Sequence, residues 1–295
     1  MATVAQVLNR AARQLLSGTV EERNRLAVAV NASATTLTVS FDLGGVRSGA
    51  VVEIGSEQMY VWDVNESIKS VTVERGFNGT TAASHPTNSP ITVNPRFPRA
   101  MLLEALNDEL ADLSSPMHGL FSVRVLDLIY NGSDRQINLP AVADVIDIIE
   151  VRSRSKSDDY QKVNKVKLLR DMPTKDFGSG MALQFDQQVR NGDVRLTYKA
   201  PFGKAVNETD NIQVVCGFPE SAEDILVMGC QIRLMSPREM KRNFTESQGD
   251  TRRADEVPAG AVGGSITNLL RMRRDRITAE AARLARKYPT FLARD

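Results

Sequence analysis

The chain has 295 residues, 37 basic and 36 acidic side chains, and a formal net charge of +1. That length suits about two domains with real cores. Near-neutrality argues against a protein that coats nucleic acid. No apolar run approaches the about 20 residues a bilayer requires, and residues 1–18 have the pattern of an amphipathic helix, not of a signal peptide. Cys216 and Cys230 are the only cysteines. Their apolar neighbours predict two buried free thiols.

Taken in order, Val4, Val7, Leu8, Ala11, Leu15 and Leu16 form one face of a first helix, stopped at Ser17-Gly18. Residues 19–25 read as a connector. From 26 to 94 the period changes to two, with strands at 37–41, 51–54, 59–64, 70–74 and 91–93, separated by glycine turns. Short strands at this spacing predict a small antiparallel barrel or sandwich. The turn at 75–81 carries two positions suited to positive φ. It lacks the lysine of a phosphate-binding loop, so no nucleotide is expected.

Residues 96–116 form the clearest helix. Leu103, Leu106, Leu110 and Leu113 line one face, and Glu104, Asp108 and Asp112 the other. Residues 120–217 read as a β-sandwich. Asn131-Gly132 is a turn signal, Asn191-Gly192-Asp193 predicts a hairpin, and the last strand falls at 212–216. A third helix follows over 219–244, with Pro237 expected to kink or break it. Residues 245–264 read as an extended arm, residues 265–288 as a basic final helix, and residues 289–295 as a tail with an apolar Phe291-Leu292 pair. The fold class is thus α+β. Four helices (1–18, 96–116, 219–244, 265–288) make a core, and two antiparallel β insertions (26–94, 120–217) hang from it.

The chemistry of an enzyme is not visible. His85 and His118 stand apart in loops, Asp158-Asp159 lies in a hydrated charged stretch, and no nucleophile sits beside a base. No catalytic residue, metal or cofactor is expected. Glu104, Asp108 and Asp112 suit either a wet helix face or contact with a basic face of another subunit. The arginines of the last helix suit a solvated amphipathic helix, docking on an acidic protein surface or, with only Tyr288 and Phe291 for stacking, contact with nucleic acid.

Several stretches together resemble a known family: VERGFNGTTAASH (73–85), NPRFPRAMLLEALNDELADLSS (94–115), YKAPF (198–202) and SPREMKRNFTESQGDTRRADEVPAGAV (236–262). They are similar to the head-to-tail adaptor, or connector, proteins of tailed bacteriophages of the siphophage type. The resemblance implies a structural virion protein of the neck, made in the host cytoplasm. It implies a ring, commonly twelve copies, below the portal, joining the DNA-filled head to the tail. Its partners would be the portal protein, neighbouring copies and a downstream neck or tail-completion protein. DNA would pass through the channel without sequence-specific binding, and no membrane is involved. Arg271, Arg273, Arg274, Arg283, Arg286, Tyr288 and Phe291 are expected at the portal. Arg242, Asn243, Phe244, Arg252 and Arg253 would belong to an arm reaching another subunit. The alternative is a β-rich tail or baseplate protein binding a surface glycan through its sandwich. Trp62, the single tryptophan, is by itself a poor basis for the aromatic platform that role needs.

Overall fold

The computed structural model describes residues 2–16, 21–140, 144–155, 159–187, 189–247 and 261–289, with the backbone alone at 236–247 and 261–262. It is a mixed α+β chain with antiparallel sheets. Contacts divide it into two compact units. One holds residues 3–109 and 226–270, the other residues 1–2, 110–225 and 271–295.

The first unit opens with helix α1 (Val4–Leu16). Its start is fixed by a reciprocal cap: Thr3 N donates to Gln6 Oε1 at 3.0 Å, and Gln6 N to Thr3 Oγ1 at 3.3 Å. Val4, Val7, Leu8 and Ala11 are fully buried. Six strands follow: β1 (Arg23–Arg25), β2 (Thr36–Thr38), β3 (Val51–Ile54), β4 (Glu57–Asn65), β5 (Ser70–Glu74) and β6 (Pro90–Val93). Their order is β1-β6-β3-β4-β5-β2, every pair antiparallel. The two edges meet where Leu26 bridges Val39, so the sheet curls toward a barrel. Ala27 N donates to Thr38 O, and Ser40 N to Arg25 O, both at 2.8 Å. Leu26, Leu37, Met59 and Val61 fill the interior at zero exposure. Each such side chain contributes about 1.5–3 kcal/mol. The strand at 23–25 falls in what the sequence pattern reads as a connector, because three residues are too few to show a period.

Helix α2 (Arg99–Leu113) starts just after Pro98. Its first free N–H, that of Arg99, donates to the buried Glu53 carboxylate at 2.8 Å. Helix α3 (Glu223–Ser247) supplies Leu226, Cys230 and Leu234 to the buried set of the first unit. Its backbone runs through Pro237, so the expected break is absent. Cys230 is buried as expected, and burial pushes its thiol up to about 12. On α3, Gly229 faces Glu109 of α2: a Cβ there would lie 2.0 Å from the Glu109 carboxyl carbon. Glu109 is buried and paired with Arg233 at 3.2 Å, which limits how far it can move. Gly229→Ala should therefore lower stability by about 1–3 kcal/mol, overriding the helix-propensity gain. In a Glu109→Ala background the same change should become neutral or stabilising. Denaturant titration of the four variants checks this non-additivity.

The second unit is a β-sandwich. Its strands are β7 (Ser122–Tyr130), β8 (Gln136–Asn138), β9 (Asp147–Arg154), β10 (Gln161–Lys162), β11 (Val166–Leu169), β12 (Ala182–Phe185) and β13 (Gly192–Ala200). One sheet has the order β10-β9-β13-β7, the other β11-β12-β8. Leu183 and Phe185 from one sheet share a core with Val194 and Leu196 from the other.

Three local expectations are corrected here. Asn191-Gly192-Asp193 does not close a hairpin, since β12 and β13 lie in different sheets. Asn131-Gly132 is a turn, as its sequence signals, with Asn131 Oδ1 accepting from Ser133 N at 3.1 Å, and it carries the chain from one sheet to the other. Residues 212–216 are a π-helical turn, not a strand. Asn211 Oδ1 accepts from Gln213 N and Val214 N, and Gly217 ends the turn at φ 71°. The supposed arm at 245–264 is helical at both ends. Residues 245–247 finish α3, and α4 (Ala261–Lys287) begins four residues ahead of the predicted 265. Residues 248–260 lie outside the described part.

Candidate functional surface

Helix α4 carries the residues the sequence marks for docking. Its second half, within the second unit, alternates between two roles. Ile277 and Leu284 are buried, and Ala281 packs close to Gly119. Around this seam, arginines fasten the helix to acids of the same unit. Arg273 Nη2 lies 2.5 Å from Asp112 Oδ2, and His118 Nε2 lies 3.7 Å from the same oxygen. Arg276 makes a two-pronged contact with Asp224, at 2.6 and 3.1 Å, and donates to Ser221 O at 3.0 Å. Arg276 holds the Asp224 carboxyl below the ordinary carboxylate range, against the opposing effect of burial. Arg283 grips Glu280 one turn away, and Glu280 is only 4% exposed.

The predicted portal-contact set therefore splits. Arg273 and Arg283 are used internally. Tyr288 packs edge-on against Phe121, with ring centroids 6.4 Å apart. Arg271 and Arg274 remain exposed beside Leu270 and Met272, which are 46% and 57% exposed, and Arg286 is exposed nearer the end of the helix. Phe291, Arg252 and Arg253 lie outside the described residues. Arg242, Asn243 and Phe244 fall on the helical backbone of α3, and their side chains are outside the described part. Of the acidic stripe on α2, Glu104 and Asp108 are exposed, while Asp112 is the anchor for Arg273. Arg276, whose role is equally clear, escaped the sequence reading: an arginine's partner 52 positions away leaves no local signal.

A second cluster lies inside the curled sheet of the first unit. Glu57, 1% exposed, accepts from Arg75 Nε at 2.7 Å and Nη2 at 2.8 Å, from Gly76 N at 3.2 Å and from Ala83 N at 3.0 Å. His85 Nε2 lies 2.8 Å from its other face. Gln58 is held alongside by Asn78 and Thr80. Gly76, Asn78 and Gly79 take positive φ, one position more than the two the turn pattern predicts. The stretch 73–85 is thus a belt that wraps one buried carboxylate. His85, read from sequence as a solitary loop residue, belongs to it. Every donor around Glu57 is satisfied within the protein, so the cluster is built to hold the sheet closed. Burial raises the Glu57 carboxyl, but Arg75, Ala83 and His85 outweigh that and leave it at about 2.

Among the described residues no group of three or more His, Cys, Asp or Glu side chains is placed to hold a metal ion, and no helix is long and apolar enough to cross a membrane. Comparison with protein-family models and with curated proteins finds no match.

Proposed function

We propose that this chain is a structural neck protein of a tailed bacteriophage. Copies of it form a ring below the portal that continues the DNA channel toward the tail. The reading rests on the adaptor-like stretches of sequence. One structural observation supports it: the division of labour along α4. Arg273, Arg276 and Arg283 spend their charge on Asp112, Asp224 and Glu280, while Arg271 and Arg274 stand exposed next to Leu270 and Met272, and Arg286 is exposed nearer the end of the helix. Arginine mixed with large apolar side chains is the composition of a protein-binding face more than of a solvated one. We read the four helices as the adaptor-type core and the two β modules as insertions decorating the ring. The portal protein and a downstream neck protein are the partners, and α4 is the portal-facing element.

Removing α4 would not test this, because Ile277, Glu280 and Leu284 are buried. The test is the triple variant Arg271→Glu, Arg274→Glu, Arg286→Glu. Its melting temperature should stay close to that of the parent chain, since exposed charges contribute little to stability. Its attachment to portal-bearing capsids, read by co-sedimentation, should fall by at least about tenfold. Unchanged attachment would remove α4 from the portal interface.

A further inference from the structure

The single tryptophan does not stand alone. Trp62 on β4 packs edge-on against Tyr60, with centroids 4.8 Å apart and planes at 69°, and Tyr60 meets Phe77 at 5.3 Å. Trp62 is 57% exposed, and Tyr60 and Phe77 are half-buried. Alternation along β4 places Tyr60 and Trp62 together on the outer face, opposite the buried Met59 and Val61. A β-bulge follows: Tyr60 pairs with Glu74 and Val61 with Val73, but the next pair is Asp63 with Thr72, so Trp62 is the extra residue and Asp63 is exposed beside it. The Trp62 backbone is pinned at the bulge, its carbonyl accepting from Ser48 Oγ at 2.6 Å. The bulge returns Val64 to the core, but the core has no contact that requires an exposed tryptophan at 62. The interior is filled by Met59, Val61 and their neighbours, and a tryptophan turned to solvent loses the benefit of burial.

The surroundings restrict what the rings can take. Asp63 and Glu74 are exposed beside Trp62 and Tyr60, Arg47 is exposed next to Ser48, and Arg75 is consumed by Glu57. Two carboxylates and one guanidinium do not make an electrostatic groove for a polyanion, so a nucleic acid or an anionic membrane is a poor fit. A cationic peptide would meet Arg47. A neutral, hydroxyl-rich ligand suits all the groups. A pyranose ring presents a face of C–H bonds, whose partial positive charge matches the negative face of the indole. Its rim of hydroxyls can donate to Asp63 and Glu74 and accept from Arg47.

We infer that the Trp62–Tyr60–Phe77 ladder is a binding site for a neutral saccharide chain. This is a second activity of the barrel, independent of α4 and of portal attachment. The sequence alone places glycan binding on the sandwich and finds a single tryptophan a poor basis for it; the outer face of β4 and the turn after β5 bring three rings together elsewhere.

Because Trp62 is the chain's only tryptophan, its fluorescence reports on this site alone. The full chain would be titrated with cellohexaose, maltoheptaose, chitohexaose and mannan, with oligo(dT) and an arginine-rich peptide for comparison. At least one saccharide should shift Trp62 emission saturably at millimolar concentration or below. Phe77→Ala and Asp63→Asn should each weaken that saccharide at least about fivefold, Asp63→Asn without lowering the melting temperature. Asp63 is exposed, so its variant stays folded even if the Phe77 variant does not. No response to any of the four saccharides, or a response to oligo(dT) or the peptide in their place, would overturn the assignment.

Discussion

Replacing Glu57 by alanine is expected to destabilise the first unit by about 3–5 kcal/mol, the usual consequence of breaking a buried ion pair from one side. Arg75 is 7% exposed, and its guanidinium also donates to Asn31 O at 2.7 Å, Ala34 O at 2.9 Å and Ala83 O at 2.5 Å. It cannot swing out to water without abandoning those carbonyls, so the charge stays buried without a counter-ion. The N–H groups of Gly76 and Ala83 lose their acceptor as well. Glu57→Gln keeps the shape and one acceptor, and should cost clearly less. Urea titration of the three proteins orders them. The same carboxylate sets an acid limit. Its ordinary value is 4.5, and in the folded chain it is held at about 2. A group depressed on folding stabilises the fold at pH above its unfolded value. That contribution is lost as pH falls from 4.5 toward 2. The parent chain should therefore lose stability steeply across that window. Glu57→Gln, which has no proton to take up there, should show a shallower slope. Equal slopes would mean that the cluster carries no linkage.

Gly192→Ala is expected to cost about 2–4 kcal/mol and to act on the sandwich alone. Gly192 opens β13 at φ 154°, and a Cβ built there would lie 2.0 Å from the carbonyl oxygen of Arg154 on β9. That oxygen is backbone within the β9–β13 ladder, where Asp193 pairs with Arg154. It cannot yield as a side chain end would. Either the first pairs of β13 with β9 and β7 separate, or the residue is driven from its conformation. Amide hydrogen exchange should show faster exchange over 192–196 and the facing end of β9, with the barrel of the first unit unchanged. A variant as stable as the parent chain would mean that the close approach of the two backbones is not needed.

These two sites show what the sequence discloses. Strands β3 and β5 are visible to the residue, because alternation in VVEI and SVTVE meets glycine or polar turns at both ends. Helix α2 is equally plain, since leucines at three- and four-residue spacing have one structural meaning. Pairing is a different matter. The turn at Asn191-Gly192 is real, but a turn says nothing about which sheet receives the next strand. Tyr60 stands two residues from Trp62 on one strand face, which spacing alone shows, but Phe77 reaches them only through the turn after β5. The network of Glu57 was hidden for the same reason. Glu57 lies two residues ahead of the strand read at 59–64, where nothing local marks it as buried, and the fold brings Arg75 and His85 to it. Residue 216 reads as part of a strand because VVC is apolar and β-branched. Asn211 and Gly217 at its two ends, an N-cap and a left-handed stop, were the signal for a helical turn.

The proposed ring is tested most directly by imaging. Portal-bearing heads incubated with the purified chain would be examined by electron microscopy and averaged along the portal axis. The account predicts an added closed ring of protein below the portal, coaxial with the channel and absent when Arg271, Arg274 and Arg286 are reversed to glutamate. Heads that look the same with and without the chain would contradict it.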